Sequence, residues 1–283
     1  MRRFNVVKRP AVVVRLLVVL LGLSAATAEA KLFVPDNEPW DVWTPSNEDA
    51  PDRITHDQWQ SLLGTYLSTD SDDGVYRFDY GAVTESDQQR LHAYLDKLAA
   101  IDPRDYRRSE QLPYWINLYN ALTVAVVIEH YPVKSIRKIH GGLLGTGPWK
   151  KKLIEVTGVK LSLNDIEHRI LRPIWRDPRI HYAVNCASIG CPNLAADAYT
   201  AENVNELLDA GARAYINHPR GVTVAKGRIV ASSIFDWYDT DFGGTHAGLL
   251  EHWLEYANPE LASKLQGFDG KFSFDYDWDL NEP

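Results

Sequence analysis

Cysteine occurs only twice in the 283 residues, at 186 and 191, and methionine once, as the first residue. No run of about 20 uninterrupted apolar residues exists, so nothing in the sequence has the length of a bilayer span. There is no basic patch. The formal net charge is −8, with the acidic residues spread along the chain and densest in the last dozen positions. A protein that neutralises phosphates needs the opposite balance, so nucleic-acid binding is excluded. The glycine-rich stretch Gly141–Pro148 lacks the Gly-Lys-Ser/Thr ending of a phosphate loop and reads as a loop over a cleft or a long turn. No internal repeat is present. What the chain has in quantity is aromatic and aliphatic material: hydrophobic residues are 45%, with nine Trp and fourteen Tyr. That is ample for one large domain with extensions.

The N-terminus reads as an export signal. Arg2, Arg3, Lys8 and Arg9 form a basic region, and Ala11 to Leu23 is apolar apart from Arg15. Ala28-Glu29-Ala30 fits a small-x-small cleavage site. No cysteine follows the apolar stretch, which excludes a lipid-anchored lipoprotein. The expected layout is a signal peptide over 1–30, an extended arm over 31–54 pinned by Trp40 and Trp43, and one globular domain over 55–283. The mature protein is expected to be periplasmic or secreted, without stable membrane insertion once the signal is cut.

Helices are predicted after Thr55, after Thr84 and from Ser109 to about His130, the last apolar on nearly every side and therefore central. Asn117 and Asn120 lie within it, three apart on one face, and buried amides must find partners. A hairpin is predicted across Thr157-Gly158. Ser162 to Asp165 resembles a capping box for a helix to about Arg172, with Glu167 on its apolar stripe and His168 at the margin. Ile180, Tyr182 and Val184 alternate like a buried strand that breaks into the loop Asn185-Cys186-Ala187-Ser188-Ile189-Gly190-Cys191-Pro192. Further on, Thr200 and Thr245 are candidate caps, Lys226-Gly227 turns a second hairpin, and Phe272 to Leu280 is a candidate edge strand. Helices and short strands are mixed without regular alternation. The expected class is α+β: a mostly helical single domain with a small, largely antiparallel sheet, with a papain- or transglutaminase-like α+β fold as the alternative.

Several motifs stand in one order: Glu110 to Leu122, Leu163 to Arg172, Asp177 to Pro192, and Ile234 to Tyr238 with Asp241-Phe242. Together they resemble the domain of unknown function 547 family over roughly Asp87 to Phe242, with an echo in Tyr276-Asp277-Trp278. The resemblance implies a stand-alone exported protein of the bacterial type, without the leucine-zipper segment of plant relatives. It implies no activity.

The residues themselves admit three kinds of chemistry. A thiol hydrolase or acyltransferase needs a thiolate, a histidine to take its proton and a group to orient the histidine. Cys191 or Cys186 would be the nucleophile, Cys191 preferred because it follows Gly190. His168 or His181 would be the base, and Glu167 or Asn117 the orienting group. Backbone N–H groups of Ser188-Ile189-Gly190 would hold an oxyanion. Substrate contacts fall to Asn120, Glu110, Asn185 and Ser188. A zinc site would draw on His168, His181, Cys186 and Cys191, but the spacing matches no standard zinc pattern, and neither metal nor cofactor is expected. A Cys186–Cys191 disulfide would make the loop structural, or, if reversible, redox-gated. The expected site is one polar cleft where the Asn helix, the Glu-His helix and the cysteine loop meet. The expected substrate is a small-molecule or peptide-like amide or ester in the cell envelope.

Overall fold

Thr84 closes the first turn of a long helix because its hydroxyl accepts the Asp87 N–H at 3.2 Å, one of the donors a helix start leaves without a partner. The computed structural model describes residues 37–139 and 147–283. The export signal, the start of the arm and most of the glycine-rich stretch lie outside the described residues.

In chain order, α1 spans Asp57–Tyr66, a short pair β1 and β2 joins Leu67–Ser68 to Arg77–Phe78, and α2 spans Glu85–Ala99. The α3 helix, Arg108–His130, is buried almost throughout, as its all-round apolarity requires. Pro113 is the sixth residue of α3 and lies inside the helix, so the Ser109 carbonyl goes without the ladder bond that a residue-113 N–H would give it. The hairpin β3 (Ile154–Val156) and β4 (Val159–Leu161) follows, and then a π-helical segment, Asp165–Leu171, continuing into α4, Arg172–Trp175. Ser162 and Asp165 do cap each other: the Ser162 N–H donates to the Asp165 carboxylate at 2.8 Å and the Asp165 N–H to Ser162 Oγ at 3.2 Å.

The π segment replaces the regular helix expected to Arg172, and Pro173 explains why. An α-helix would need the residue-173 N–H to satisfy the Arg169 carbonyl, and proline has none. That carbonyl instead accepts the Trp40 N–H at 2.9 Å, which fastens the arm to the body. The Arg169 guanidinium lies 4.0 Å over the Trp40 ring, and Trp43 packs edge-on to Trp115 at 5.1 Å.

The second half contains α5 (Val204–Ile216), the hairpin β5 (Val222–Ala225) and β6 (Arg228–Ser232), α6 (Ile234–Trp237), α7 (His246–Tyr256), α8 (Pro259–Leu265) and β7 (Lys271–Asp275). Thr245 caps α7 through the Gly248 N–H. Lys226 and Gly227 both take positive φ, as the tight hairpin turn demands. The three-stranded sheet runs β5-β6-β7, antiparallel then parallel, with β7 at an edge. The architecture is mostly helical α+β with small sheets, most of whose strand pairs are antiparallel.

Three expectations fail. α5 starts at Val204 with Asn203, not Thr200, at its cap position. α1 starts at Asp57 with His56, not Thr55, at its cap position. The strand expected over 180–184 is a 3₁₀ turn, Pro178–Tyr182. Asp177 caps it by accepting the Arg179 N–H, and Pro178 presets its φ. The apolar alternation there has another origin. Ile180 and Val184 belong to the core around α3, whereas Tyr182 belongs to a second core with Phe235, Phe242 and Trp253. The turn is a seam between two cores, and it presents apolar side chains both ways.

Candidate functional site

The Asn side chains of α3 fix where the cysteine loop and its successor run. Asn117 donates to the Tyr199 carbonyl at 2.7 Å and accepts the Tyr199 N–H at 3.1 Å. Asn120 donates to the Ala183 carbonyl at 2.9 Å and accepts the Asn185 N–H at 2.8 Å. Each amide imitates a strand partner and satisfies two buried backbone groups. Both amides are engaged with backbone groups, not with the histidines that Asn117 was expected to orient. Asn185 is likewise committed, donating to the Pro192 carbonyl at 2.7 Å and accepting the Ala187 N–H at 2.8 Å. Glu110, buried at the start of α3, accepts the Ile54 N–H at 3.1 Å and holds the arm.

Glu167, His168 and His181 do come together, in a buried cluster completed by residues to which the sequence attached no role. Glu167 accepts from the Tyr119 hydroxyl at 3.0 Å, and its Oε1 lies 3.9 Å from His168 Nδ1 and 4.0 Å from His181 Nδ1. His168 Nδ1 faces Arg172 Nη1 at 3.0 Å. Arginine only donates, so that nitrogen is an acceptor and the ring is neutral with its proton on Nε2. Burial, more than any charge nearby, pushes the His168 pKa down to about 4. His181 Nε2 meets Asp241 Oδ2 at 2.8 Å, and Arg172 Nε meets the same oxygen at 2.6 Å. Burial would raise the Asp241 pKa, but hydrogen bonds from His181 and Arg172 hold it well below the usual carboxylate range. Tyr238 stacks on His181 at 4.3 Å and lies under the Arg172 guanidinium at 4.8 Å.

An open cleft of about 320 Å³ reaches this cluster from outside, lined by Arg172, Arg176, Asp177, Thr240 and Asp241 among others. No residue of the cysteine loop lines it. The single shared cleft expected from the sequence is therefore two neighbouring features. They are linked electrostatically: Glu167 opposes negative charge on Cys186, and both act on Tyr119 and Tyr238.

The cysteine loop is held from all sides. Arg220 and Tyr215 donate to the Ile189 and Gly190 carbonyls at 2.9 and 2.6 Å. The chain after β7 closes the remaining side. The Ile189 N–H donates to the Asp279 carbonyl and the Gly190 N–H to the Asp277 carbonyl, both at 2.8 Å. A Cβ on Gly190 would lie 2.8 Å from the Asp277 backbone, so only glycine permits this approach. These bonds also correct the expected oxyanion site, because those two N–H groups already have acceptors.

The two cysteines are free, with Sγ atoms 3.1 Å apart rather than at the ~2.0 Å of a disulfide bond. Cys186 is half-buried; Cys191 is 3% exposed. Cys186 Sγ has Ser188 Oγ at 3.2 Å and the Tyr276 hydroxyl at 3.1 Å. The Cys191 thiol and these two hydroxyls lower the Cys186 pKa. Burial pushes that of Cys191 well up, and its sulfur accepts the Cys186 N–H at 3.0 Å. Cys186 is thus the more exposed sulfur and the one whose pKa is lowered, whereas the sequence reading preferred Cys191. Among the described residues, no histidine ring nitrogen is hydrogen-bonded to either sulfur. Among the described residues, no group of three or more His, Cys, Asp or Glu side chains converges as metal ligands.

Asp241, Arg172, Tyr119, Tyr238 and Tyr276 were each visible inside quoted motifs, Tyr276 in the aromatic echo near the C-terminus, but nothing in local spacing shows what they touch.

Scaffold and site together define a helical α+β protein with a two-cysteine loop set against a buried carboxylate–imidazole cluster. Residues 103–216, which carry α3, the π segment, the loop and α5, match the family described as "Protein of unknown function, DUF547". No curated protein and no solved structure matches the chain.

Proposed function

We propose that this protein is an exported thiol enzyme in which Cys186 attacks the substrate and carries it as a covalent adduct. The observation behind this reading is the setting of one half-buried sulfur: a thiol at 3.1 Å and hydroxyls at 3.2 and 3.1 Å, all able to donate to a thiolate. The thiolate is the nucleophilic form, and donors around it favour it over the thiol. A preformed thiolate needs no histidine to take its proton, which suits a site whose imidazoles are engaged by Arg172 and Asp241. Export rests on the basic, apolar and small-x-small pattern over residues 1–30.

In an acyl-transfer version, the substrate is an amide or ester in the cell envelope and the intermediate a thioester. Ser188 and Tyr276, with hydroxyl oxygens 3.0 Å apart and both beside the sulfur, are the available donors to its oxyanion. Burial keeps the Tyr276 phenol protonated, so it remains a donor.

Iodoacetamide labelling of the full reduced chain against pH, read by peptide mass, tests the reading. Cys186 is expected to label near neutral pH, Cys191 to remain protected, and Tyr276→Phe to move the Cys186 profile to higher pH. Equal labelling of both cysteines, appearing only near the ordinary thiol pKa of about 8.5, refutes it.

A further inference from the structure

The proposed thiol chemistry leaves the electrophile open, and the surroundings of the pair discriminate between an acyl carbon and a sulfur. Backbone donors beside the nucleophile, the usual means of stabilising an acyl oxyanion, are taken: the Ile189 and Gly190 N–H groups bond the chain after β7. Attack on a disulfide sulfur develops no oxyanion and needs none. It needs an accessible thiolate and a second thiol close enough to resolve the adduct. Cys191 Sγ stands 3.1 Å from Cys186 Sγ, about 1 Å beyond bonding distance, and is itself hidden from solvent. The backbone between them holds Ala187 at φ 59, a left-handed conformation that a non-glycine residue keeps only where its surroundings impose it. Asn185 Oδ1 accepts its N–H and the Asn281 N–H donates to its carbonyl, fixing that conformation. Beyond Tyr276, the half-buried rings of Trp237 and Trp278 continue the wall beside the thiol, at 4.8 and 4.6 Å from the Tyr276 ring. Such a wall suits the apolar side chains of an extended polypeptide.

We propose, on the basis of the thiol reading, that Cys186 and Cys191 form a reversible dithiol–disulfide couple whose substrate is a disulfide carried by another polypeptide. The Cys186 thiolate attacks one sulfur of that disulfide. The substrate S–S bond breaks, its second sulfur leaves and takes a proton, and a mixed disulfide with Cys186 forms. Cys191 then gives up its thiol proton and attacks Cys186 Sγ. The mixed bond breaks, and the first substrate sulfur leaves as a thiol with that proton. The substrate disulfide is reduced by two electrons to two thiols, and the pair is oxidised by two electrons to a Cys186–Cys191 bridge. Run backwards, the same steps oxidise a dithiol.

The full chain, reduced and freed of reductant, is treated with oxidised glutathione and, separately, with a disulfide-linked peptide bearing apolar residues beside its cysteine; adducts are read by intact mass. Wild type is expected to become a bridged monomeric chain without retained adduct. Cys191→Ser is expected to hold one adduct per chain at residue 186, and Cys186→Ser none. The peptide should react faster than glutathione if the aromatic wall takes part, and equal rates remove the polypeptide assignment. Cys191→Ala, with its fold checked by circular dichroism, covers the case in which serine is not tolerated in the buried position. If Cys186 alkylates readily but neither Cys191 variant gains an adduct, the disulfide substrate is wrong while the thiol reading stands. If Cys186 neither alkylates nor exchanges, both fall.

Discussion

Three buried histidines should make this protein lose stability in mild acid. His56, His168 and His252 are 3%, 2% and 9% exposed. Each has its pKa pushed from 6.5 down to about 4, in every case chiefly by burial. The fold holds the neutral ring, whereas the unfolded chain takes up a proton at the ordinary value. The contribution is therefore complete above pH ~6.5 and is lost as pH falls from there toward 4. Moving one pKa that far is worth about 3 kcal/mol, of which about 2 kcal/mol has gone by pH 5. The three rings lie in different surroundings: His56 against Tyr94, His168 against Arg172, His252 against Tyr182. Their effects should roughly add. The expected loss by about pH 5 is about 6 kcal/mol, a large part of the 5–15 kcal/mol that holds a typical domain. Urea unfolding followed by tryptophan fluorescence at about pH 7.5, 6 and 5 measures it. His56→Gln should reduce the slope of stability against pH by one proton, about 1.4 kcal/mol per pH unit. Stability that stays within about 1 kcal/mol across the same range, or histidine ring protons that titrate near 6.5 by NMR, would refute the reasoning.

Two other substitutions report on the framework. Asn117→Ala leaves the buried Tyr199 N–H and carbonyl without partners, and at about 1–3 kcal/mol for each group it should destabilise by about 2–6 kcal/mol in urea unfolding. Asp241→Asn removes the charge shared by Arg172 and His181; breaking a buried pair on one side costs about 3–5 kcal/mol, and the loss should appear as a lower urea midpoint at neutral pH.

How much of this was legible depended on the distance over which each feature is decided. Thr84, Thr245 and the Ser162–Asp165 box act within three or four residues, and each caps as its sequence predicts. Thr157-Gly158 and Lys226-Gly227 carry the positive φ values of their turns, again a local matter. The burial of α3 followed from its composition alone. The strand misread over Ile180–Val184 had no local remedy, because its alternation comes from two cores lying on either side of one turn. That Asn117 and Asn120 needed partners could be read; that the partners are the backbone of Tyr199, Ala183 and Asn185 could not. That Cys186 is the more exposed of the two thiols was hidden for the same reason. Cys191 was preferred because it follows Gly190, yet the space beside that glycine is filled by the Asp277 backbone, and the hydroxyl beside Cys186 comes from Tyr276.

The attachment of the loop to the segment after β7 has a bearing on how the protein is made. A chain delivered from its N-terminus exposes Cys186 and Cys191 well before Tyr276, Asp277 and Asp279 emerge. Until then the Ile189 and Gly190 N–H groups and the Cys186 sulfur lack these partners. Only with the arrival of the final residues do the Ile189 and Gly190 N–H groups gain their acceptors and the Cys186 sulfur its Tyr276 neighbour, so the surroundings of the pair are completed last.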